Sequence, residues 1–251
     1  MDFDNKYIVV TGGASGIGRA TVDWVARRGG RVLIGDIDQK NGAAASEELT
    51  RAGHSVSFHP LDLTQSASVA DFAAAAGAAG PVLGLVNAAG WDKLEPFMDN
   101  SEEIWERLIA INLLGPMRLT RALLPAMIAA KRGKIVNISS DAGRVGSTGE
   151  TVYSATKGGI IAFTKSLARE MARYKININC VAPGPTDTPL LQQQSGDFAA
   201  RVKEGLVGAI PFRRLARPDE IAEAIGFFLG DGSDFVTGQV LSVNGGLTMV
   251  G

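Results

Sequence analysis

A tyrosine and a lysine stand four positions apart in the segment YSATK, residues 153–157, with small side chains between them. On an α-helix this spacing puts Tyr153 and Lys157 on one face, about one turn apart. A phenol titrates at about pH 10 and is a poor acid or base at neutrality, but a fixed ammonium nearby favours the phenolate. The pair therefore suits proton transfer, although the same spacing also arises by chance on surface helices.

Polar side chains at two other positions also require an explanation. Ser139 and Ser140 end a predicted strand, and Asn112 lies inside the predicted helix WERLIAINLLG. Asn has a poor helix propensity. Its amide therefore serves either a functional site or the buried backbone of a neighbouring segment.

A glycine-rich turn follows the first predicted strand. In TGGASGIG, residues 11–18, the glycines Gly12, Gly16 and Gly18 open a helix with the spacing G-x-x-x-G-x-G. Glycines allow a tight turn and a close approach of the backbone, and the helix N-terminus attracts a pyrophosphate. A strand–helix turn also needs glycine for purely conformational reasons.

Two carboxylates follow the next two strands. Asp36 ends the second strand, where a carboxylate can accept hydrogen bonds from the hydroxyls of an adenosine ribose. Asp62 follows the third strand, either near a bound adenine or as the N-cap of a helix. The glycine turn and Asp36 together, in a chain of alternating strands and helices, predict a dinucleotide site.

Seven short apolar runs alternate with helical stretches, which predicts an α/β fold. The runs are 7–11, 31–35, 56–59, 83–87, 134–139, 178–182 and 239–243, and the helices begin near Gly16, Gln39, Ser66, Glu102, Val152 and Pro218. Continuous apolar strands separated by helices are typical of a parallel sheet covered on both faces. We therefore predict one doubly wound, Rossmann-type domain over residues 1–251, with a central parallel sheet of about seven strands.

The region from Pro183 to Pro211 lacks a strand pattern and is polar and rich in Pro and Gly. It follows the sixth strand, on the side where such sheets bind ligands. We predict that residues 184–211 form a mobile substrate lid, the alternative being an inert surface excursion.

The composition argues against several classes of protein. The 251 residues carry a net charge of −1 with both signs interspersed, so no basic cluster favours nucleic acid or an anionic membrane. The single cysteine, Cys180, has no intrachain disulfide partner and is expected in the core. The acidic start is unlike a signal peptide, and no apolar run is long enough to span a bilayer. We expect a cytoplasmic protein without a metal site.

The motifs together resemble the short-chain dehydrogenase/reductase family over essentially the whole chain. They are T-G-x-x-x-G-x-G at 11–18, N-A-A-G at 87–90, Asn112, Ser140, Y-x-x-x-K at 153–157 and PGPTDT at 183–188. The resemblance implies that Tyr153 exchanges a proton with the substrate oxygen and that Ser140 hydrogen-bonds this oxygen. It also implies that Lys157 lowers the pKa of Tyr153 and binds the nicotinamide ribose, and that Asn112 holds a water in a proton relay.

The resemblance implies a nicotinamide cofactor, and Asp36 favours NAD over NADP. One departure from the family pattern is Ala88, where the family usually has a second Asn, and we expect a slightly altered hydrogen-bond network there. The implied cofactor-binding residues are Gly12, Ser15, Gly16, Ile17, Gly18, Asp36, Asp62, Leu63, Asn87, Ala89, Gly90, Tyr153, Lys157, Pro183, Gly184, Thr186 and Thr188.

Details beyond the family core, such as AAGWDKLEPF and SDAGRVGSTGETVY, resemble members that oxidise 2-hydroxycyclohexanecarboxyl-CoA to the 2-oxo compound with NAD. The alternative is a 3-oxoacyl-acyl-carrier-protein reductase. Those enzymes usually use NADPH and dock an acidic carrier protein, for which Lys131 and Arg132 are candidates, whereas Tyr174 stands where Arg is frequent. A non-catalytic NAD-sensing protein is the alternative from another class.

The substrate and partner predictions are less specific. Candidate pocket residues after the strands or in the lid are Trp91, Asp92, Arg144, Glu150 and Gln192. Arg144 would meet an anionic or carbonyl group of the substrate, or else form a structural ion pair. The expected partner is a small molecule, a CoA thioester in the main interpretation. The family is often tetrameric, so a homotetramer is expected, with the C-terminal GGLTMVG as a candidate for its interface.

Overall fold

A computed structural model describes residues 3, 4 and 6–250 of the chain. Within this part of the chain seven strands form one sheet, all pairs parallel. The strands are β1 Tyr7–Thr11, β2 Arg31–Asp36, β3 Val56–Pro60, β4 Gly84–Asn87, β5 Gly133–Ile138, β6 Ile176–Pro183 and β7 Val240–Val243. The predicted fold class is confirmed.

Helices connect the strands. They are α1 Gly16–Ala26, α2 Gln39–Arg51, α3 Ser66–Ala78, α4 Glu102–Ile109, α5 Gly115–Ala130, α6 Ala142–Val145, α7 Thr151–Met171, α8 Pro189–Gln192, α9 Asp197–Ala209 and α10 Pro218–Leu229. A π-helical segment, Ala110–Leu114, joins α4 to α5, and short 3₁₀ turns lie at Phe97–Asp99, Ala172–Tyr174 and Asp231–Ser233. No helix in the described part of the chain combines the length and apolarity needed to cross a membrane.

The strand order is β3-β2-β1-β4-β5-β6-β7, so the chain reverses its direction of growth between β1 and β4. In an open parallel sheet the crevice for a ligand lies at such a reversal, outside the carboxyl ends of the strands. This topology brings the segments that follow β1 and β4 side by side.

Both faces of the sheet are buried, which explains the continuous apolar strands. Val9 and Val10 are neighbours in β1 and both are fully buried, but they point to opposite faces. Val10 packs in a core with side chains of α1 and α10, whereas Val9 packs in a second core with side chains of α3 and α5. Cys180 is fully buried in β6, and burial raises the pKa of its thiol to about 11. The expectation that it is a core residue is confirmed.

The helix that contains Asn112 changes its winding at that residue. Ala110–Leu114 is π-helical and continues directly into α5, whose second residue is Pro116. A proline lacks the N–H that a helix interior needs, and π-turns inside helices occur frequently at functional sites. The bulge buries the Asn112 side chain almost completely.

The predicted lid segment is more ordered than its composition suggested. After β6 it forms the two helices α8 and α9 rather than a continuous loop. The hydroxyl of Thr188 caps α8 by accepting a hydrogen bond from the Leu191 N–H at 3.4 Å, and Pro189 occupies the first helical position. The cap and the proline are local helix signals within the segment that was predicted as a lid.

Gly226 and Gly205 provide a matched test of the packing of α1 against α10. A Cβ at Gly226 would collide with the indole ring of Trp24, whereas a Cβ at Gly205 in α9 would meet no described atom within 4 Å. We expect Gly226→Ala to destabilise the protein by about 1–3 kcal/mol, lowering Tm by about 2–12 °C. Gly205→Ala should stabilise it by about 0.5–1 kcal/mol. Thermal unfolding of both variants measures this, and equal shifts would contradict the close packing.

Candidate active site

A cavity of about 830 Å³ lies at the carboxyl ends of the strands. Segments that follow all seven strands line it, the largest contributions coming after β1, β4, β5 and β6. The cavity therefore lies where the sheet topology predicts a ligand crevice. Its lining includes most of the residues that the sequence analysis selected.

The glycine turn after β1 is built for close backbone approach. Gly12 has a φ of 69°, and a Cβ there would lie 2.7 Å from the Cα of Ala89. A Cβ at Gly18 would collide with the carbonyl oxygen of Gly12. Larger residues would push the turn away from the segment after β4, so the turn fits the cradle of a dinucleotide pyrophosphate at the start of α1.

Asp36 at the end of β2 lines the cavity and holds the glycine turn. Its Oδ2 accepts a hydrogen bond from the Ala14 N–H at 3.0 Å, and its Oδ1 accepts one from the Asp38 N–H at 3.0 Å. The carboxylate is therefore fixed beside the turn. Arg19 does not reach it, because its guanidinium bonds Asp23 and Glu48 instead.

Asp62 lines the cavity and also forms a local turn. Its Oδ1 accepts hydrogen bonds from the N–H and the hydroxyl of Thr64 at 2.9 and 2.7 Å. This is the capping type of interaction that the sequence left open, although it bonds the turn before α3 rather than the first helical residue. The carboxylate thus has a structural partner in addition to its place in the cavity.

The segment after β4 differs from the predicted site in one residue. The side chain of Asn87 is buried away from the cavity lining, where its amide donates to Asn137 Oδ1 at 2.8 Å and to Thr120 Oγ1 at 3.2 Å. A buried amide must find partners, and the facing side chains of β5 and α5 supply them. Asn87 was predicted to bind cofactor, but in the structure its side chain joins neighbouring elements of the core.

The departure at Ala88 is accommodated by the backbone. The hydroxyl of Thr11 accepts hydrogen bonds from the N–H groups of Ala88 and Ala89 at 3.2 and 3.1 Å. The Ala88 side chain itself packs against the core and lines the cavity. The turn is thus held without the side chain of a second Asn.

The remaining predicted cofactor residues also line the cavity. They are Ser15, Gly16, Ile17, Leu63, Gly90, Pro183, Gly184, Thr186 and Thr188. Position 184 leaves no room for a side chain, since a Cβ at Gly184 would lie 2.7 Å from the Cβ of Asn244.

Tyr153, Ser140 and Lys157 meet in the cavity from two elements. Ser140 follows β5 and its hydroxyl interacts with that of Tyr153, which lies in the first turn of α7. Lys157 is one turn further along α7, and its ammonium lies 5.5 Å from the centroid of the Tyr153 ring. The neighbouring Ser139 faces away and donates its hydroxyl to the Lys157 carbonyl at 2.8 Å, so it positions α7.

The charges around Tyr153 differ from the expectation. The pKa of its phenol is raised, first by burial and then by the carboxylates of Glu150 and Asp92, while the hydrogen bond with Ser140 opposes the shift. Lys157 was expected to lower this pKa, but its ammonium instead donates to the Ile138 carbonyl at 3.0 Å beneath the ring. Burial lowers the pKa of Lys157 to about 8. The phenol is therefore held neutral, as a proton donor.

Asn112 reaches the cavity segment from the π-helical turn. Its Oδ1 accepts from the Trp91 N–H at 2.9 Å, and its Nδ2 donates to the Trp91 carbonyl at 2.8 Å. Both polar groups of the amide thus pair with the backbone, which is one of the two explanations that the sequence left open. Gly90 lies beside this contact, since a Cβ there would lie 3.4 Å from Asn112 Oδ1 and 3.5 Å from Lys157 Nζ.

The candidate substrate residues divide into two groups. Trp91, Asp92 and Glu150 line the cavity. Arg144 does not, because its guanidinium bonds the Ser242 hydroxyl at 2.9 Å and the Val250 carbonyl, and so ties down the C-terminal segment. Gln192 does not either, because its amide donates to Asp187 at 2.8 Å on the outside of the lid.

Among the lining residues that the sequence analysis missed, Gln194 and Arg107 have the longest polar side chains. Gln194 lies between α8 and α9, where its Oε1 accepts from the Leu94 N–H at 2.9 Å and its Nε2 donates to the Asp92 carbonyl at 3.1 Å. Arg107 of α4 is exposed, and its guanidinium lies 4.1 Å from the centroid of the Trp91 ring. Neither stands in a motif, so only their three-dimensional neighbours distinguish them.

The chain is similar to known reductases and dehydrogenases over nearly its whole length. Residues 12–248 match the family model described as Enoyl-(Acyl carrier protein) reductase. The chain is 38% identical to the 3-oxoacyl-[acyl-carrier-protein] reductase of Escherichia coli strain K12, with 100% of both chains covered. It is 40% identical to the cis-4-hydroxycyclohexanecarboxylate dehydrogenase of Sinomonas cyclohexanicum, covering 99% of this chain and 98% of the relative.

A solved structure is similar over the same length. The putative gluconate dehydrogenase from Agrobacterium tumefaciens matches with a TM-score of 0.91 and 30% identity, covering 99% of this chain and 98% of that one. The similarity therefore extends beyond the glycine turn to the whole sheet and its helices.

The burial of Lys157 predicts a pH-dependent gain in stability on its removal. An unfolded lysine has a pKa of about 10.4, so a folded pKa of about 8 costs up to about 3 kcal/mol below pH 8. This cost fades as the pH rises from 8 to about 10.4, where the ammonium is lost in both states. We expect Lys157→Met to raise the free energy of unfolding at pH 7 by about 1–2 kcal/mol, after the loss of the bond to Ile138. The gain should vanish near pH 10.

Urea unfolding at pH 7 and pH 10 measures this difference. Lys165→Met, at an exposed position of the same helix, is the matched control and should change stability little at either pH. A loss of stability at pH 7 in Lys157→Met would contradict the burial penalty.

Proposed function

The chain belongs to the short-chain dehydrogenase/reductase family, and we propose that it interconverts a 3-hydroxyacyl thioester and a 3-oxoacyl thioester, with NAD as its preferred cofactor. Membership makes the protein an oxidoreductase that acts on a CH–OH group of a small molecule with a nicotinamide cofactor. The substrate class and the choice of NAD are the proposal. The observation that carries it is the Tyr153–Ser140 hydroxyl pair, which lies in the cavity above the Lys157 ammonium.

In the proposed reaction, side chains of this protein hydrogen-bond the substrate oxygen and exchange a proton with it. When bound, the cofactor supplies the hydride in reduction and accepts it in oxidation. In reduction the Ser140 hydroxyl donates a hydrogen bond to the substrate carbonyl, and Tyr153 gives its phenolic proton to the oxygen as this becomes an alcohol. The Lys157 ammonium, 5.5 Å from the centroid of the Tyr153 ring, is the cation that lies beside the remaining phenolate. A phenol held neutral by burial, and further by Glu150 and Asp92, is the form that reduction requires.

The two substrates considered from the sequence belong to one reaction class. Both 2-hydroxycyclohexanecarboxyl-CoA and a 3-hydroxyacyl carrier protein place the hydroxyl on the carbon next to the one that bears the thioester. The comparisons favour the reductase over the ring dehydrogenase. Relatives named 3-oxoacyl-[acyl-carrier-protein] reductase include the E. coli protein and that of Thermotoga maritima, which is 34% identical over 99% of this chain. The relative named for a hydroxycyclohexanecarboxylate supports a ring substrate.

Lys131 and Arg132, the candidate docking residues for a carrier protein, lie far from the cavity. Lys131 and Arg132 precede β5, at the end of the sheet opposite to the cavity, about 20 Å away for a strand of this length. They are therefore poorly placed to guide a thioester into the site. Arg107, which is exposed and lines the cavity, is better placed to meet the phosphate of a pantetheine arm or of CoA.

The preference for NAD is supported by the charges near Asp36. The 2′-phosphate of NADP would bring a charge of about −1.5 to −2 beside this carboxylate. The cationic residues among the described cavity lining are Arg107 and Lys157, and both lie toward the segment after β4 and α7 rather than beside β2. A repulsion of a few kcal/mol at an effective dielectric constant of about 20 is then uncompensated.

We also propose that residues 184–211 act as a substrate lid and that the protein is a homotetramer. The lid role of residues 184–211 is supported by the bonds of Gln194 to the segment after β4, across the cavity edge. A homotetramer is supported by exposed apolar side chains on the α4–α5 helix, at Ile109, Leu114 and Met117.

The cofactor preference predicts the effect of neutralising Asp36. In the wild-type enzyme kcat/KM with NAD should exceed that with NADP by about 100-fold or more, as a repulsion of about 3 kcal/mol implies. Asp36→Asn keeps a hydrogen-bond acceptor for the glycine turn but removes the charge, so it should narrow the ratio chiefly by raising activity with NADP. Asp38→Asn is the control, because Asp38 caps α2 outside the cavity lining. Equal kcat/KM values for NAD and NADP in the wild type would reject the role of Asp36.

The substrate class is tested by comparing thioesters with simple alcohols and ketones. We expect kcat/KM for NADH-linked reduction of acetoacetyl-CoA, acetoacetyl carrier protein or 2-oxocyclohexanecarboxyl-CoA to exceed that for cyclohexanone and 2-butanone. Tyr153→Phe should lower the rate with the best substrate by roughly 10²–10⁴-fold, since it lacks the proton donor. Faster turnover of the simple ketones would reject the thioester proposal. A Tyr153→Phe enzyme with more than about a tenth of the wild-type rate would reject the role of Tyr153.

A further inference from the structure

Two carboxyl groups face each other at the substrate end of the cavity. Asp92, in the segment after β4, and Glu150, at the N-cap of α7, both line the cavity and interact through their side chains. Asp92 is nine-tenths buried, and its Oδ1 has no access to solvent and no hydrogen-bond donor among the described residues. We call these two residues the acid pair. The proposed proton transfer through Tyr153 and Ser140 does not use it.

The backbone around Asp92 is held from two sides, so the carboxyl group has little freedom to move to solvent. Asn112 bonds both the N–H and the carbonyl of the preceding Trp91. Gln194 donates to the carbonyl of Asp92 itself at 3.1 Å. The neighbouring Lys93 pairs its ammonium with Glu95 at 2.6 Å, and therefore does not neutralise the acid pair.

Two carboxyl oxygens form a hydrogen bond only when one of them carries a proton. Burial raises the pKa of Asp92 to about 8, and the neighbouring Glu150 adds to the shift. A hydrogen-bonded pair of carboxyl groups holds one proton between them, and the second group keeps one negative charge. Both groups also act on the Tyr153 phenol, whose pKa they raise. The acid pair thus faces the place where the substrate oxygen would bind.

We propose that the acid pair selects the group carried by the carbon next to the reacting carbon of the substrate, accepting a neutral hydrogen-bond acceptor such as an ester or thioester carbonyl and excluding a free carboxylate. The proton that bridges the two carboxyl groups can turn toward a bound neutral carbonyl as a hydrogen-bond donor, while the negative charge of the pair repels an anion. Two cations of the lining oppose this repulsion, Lys157 beneath the Tyr153 ring and Arg107 at the exposed edge of the cavity. Lys157 is engaged with the Ile138 carbonyl, and Arg107 with the Trp91 ring.

The inference rests on the proposed function for the choice of ligands, so the test measures binding rather than turnover. Ethyl 3-hydroxybutyrate and 3-hydroxybutyrate share a skeleton and differ by one charge at neutral pH. Titrated into the complex of the enzyme with NADH, neither hydroxy compound can be reduced. Isothermal titration at pH 7 then gives two dissociation constants for each protein variant.

In the wild type the ester should bind at least about tenfold more tightly than the acid. Asp92→Asn leaves the charge of Glu150 in place and supplies an amide N–H as the donor. The ester should therefore still bind more tightly than the acid. The double variant Asp92→Asn, Glu150→Gln removes the charge, and the acid should then gain about tenfold or more in affinity while the ester changes by less than about threefold. Glu102→Gln, exposed in the first turn of α4 and outside the cavity lining, is the control and should behave as the wild type.

The outcomes separate this inference from the proposed function. Equal binding of acid and ester by the wild type, or an unchanged difference in the double variant, would overturn the selection by the acid pair. If the preference for the ester over the acid is lost in the double variant but the wild type does not turn over thioesters, the inference is supported and the thioester function is rejected. Binding of neither compound would overturn both.

Discussion

Burial of the central sheet on both faces is the constraint on which the rest of the structure depends. With helices packed on each side, polar side chains within the strands must find partners inside the core, and the other polar groups collect where the strands end. Asn87 and Asn137 illustrate the first case. Asn87 donates to Asn137, and Asn137 donates to the Thr164 hydroxyl of α7 at 2.9 Å. This chain of bonds ties β4 to β5 and β5 to the helix that carries Tyr153 and Lys157.

The same constraint explains the electrostatics of the site. Lys157 and Tyr153 point from α7 toward the end of β5, where little solvent reaches them, so burial disfavours the charged form of each. The carboxylates of Asp92 and Glu150 strengthen this effect on the phenol. As a result the proton stays on Tyr153, while Lys157 remains largely protonated at neutral pH. The neutral phenol is the form that the proposed reduction uses, since it has a proton to give.

Asn112 links this electrostatic arrangement to the helical layer. Its amide lies in the π-helical turn between α4 and α5 and pairs with both backbone groups of Trp91. The residue after Trp91 is Asp92, which belongs to the acid pair. A local change in helix winding therefore holds the segment that carries one of the residues that we propose to select the substrate.

The sequence by itself determined the seven strands, most of the helices that connect them and much of the cavity lining. Strand and helix positions follow from runs of apolar residues and from caps such as Pro218, because these signals are local and repeat along the chain. Gly12 and Gly18 could be recognised because backbone contact leaves no room for a Cβ. Asp36 and Ser140 could be recognised because residues at the carboxyl ends of parallel strands must meet at one edge, and Tyr153 could be recognised by its spacing to Lys157 on one helix face.

Only the tertiary structure decided where individual side chains point and which partners they find. Asn87 and Arg144 each stand just after or within a motif, yet one bonds the core and the other the C-terminal segment. Gln194 rather than Gln192 reaches the cavity, because the turn between α8 and α9 sets the direction of each amide. The acid pair joins residues 58 positions apart, and its shared proton arises from burial that no local pattern records. Contacts of this kind depend on the packing of distant segments, and packing is a property of the folded chain.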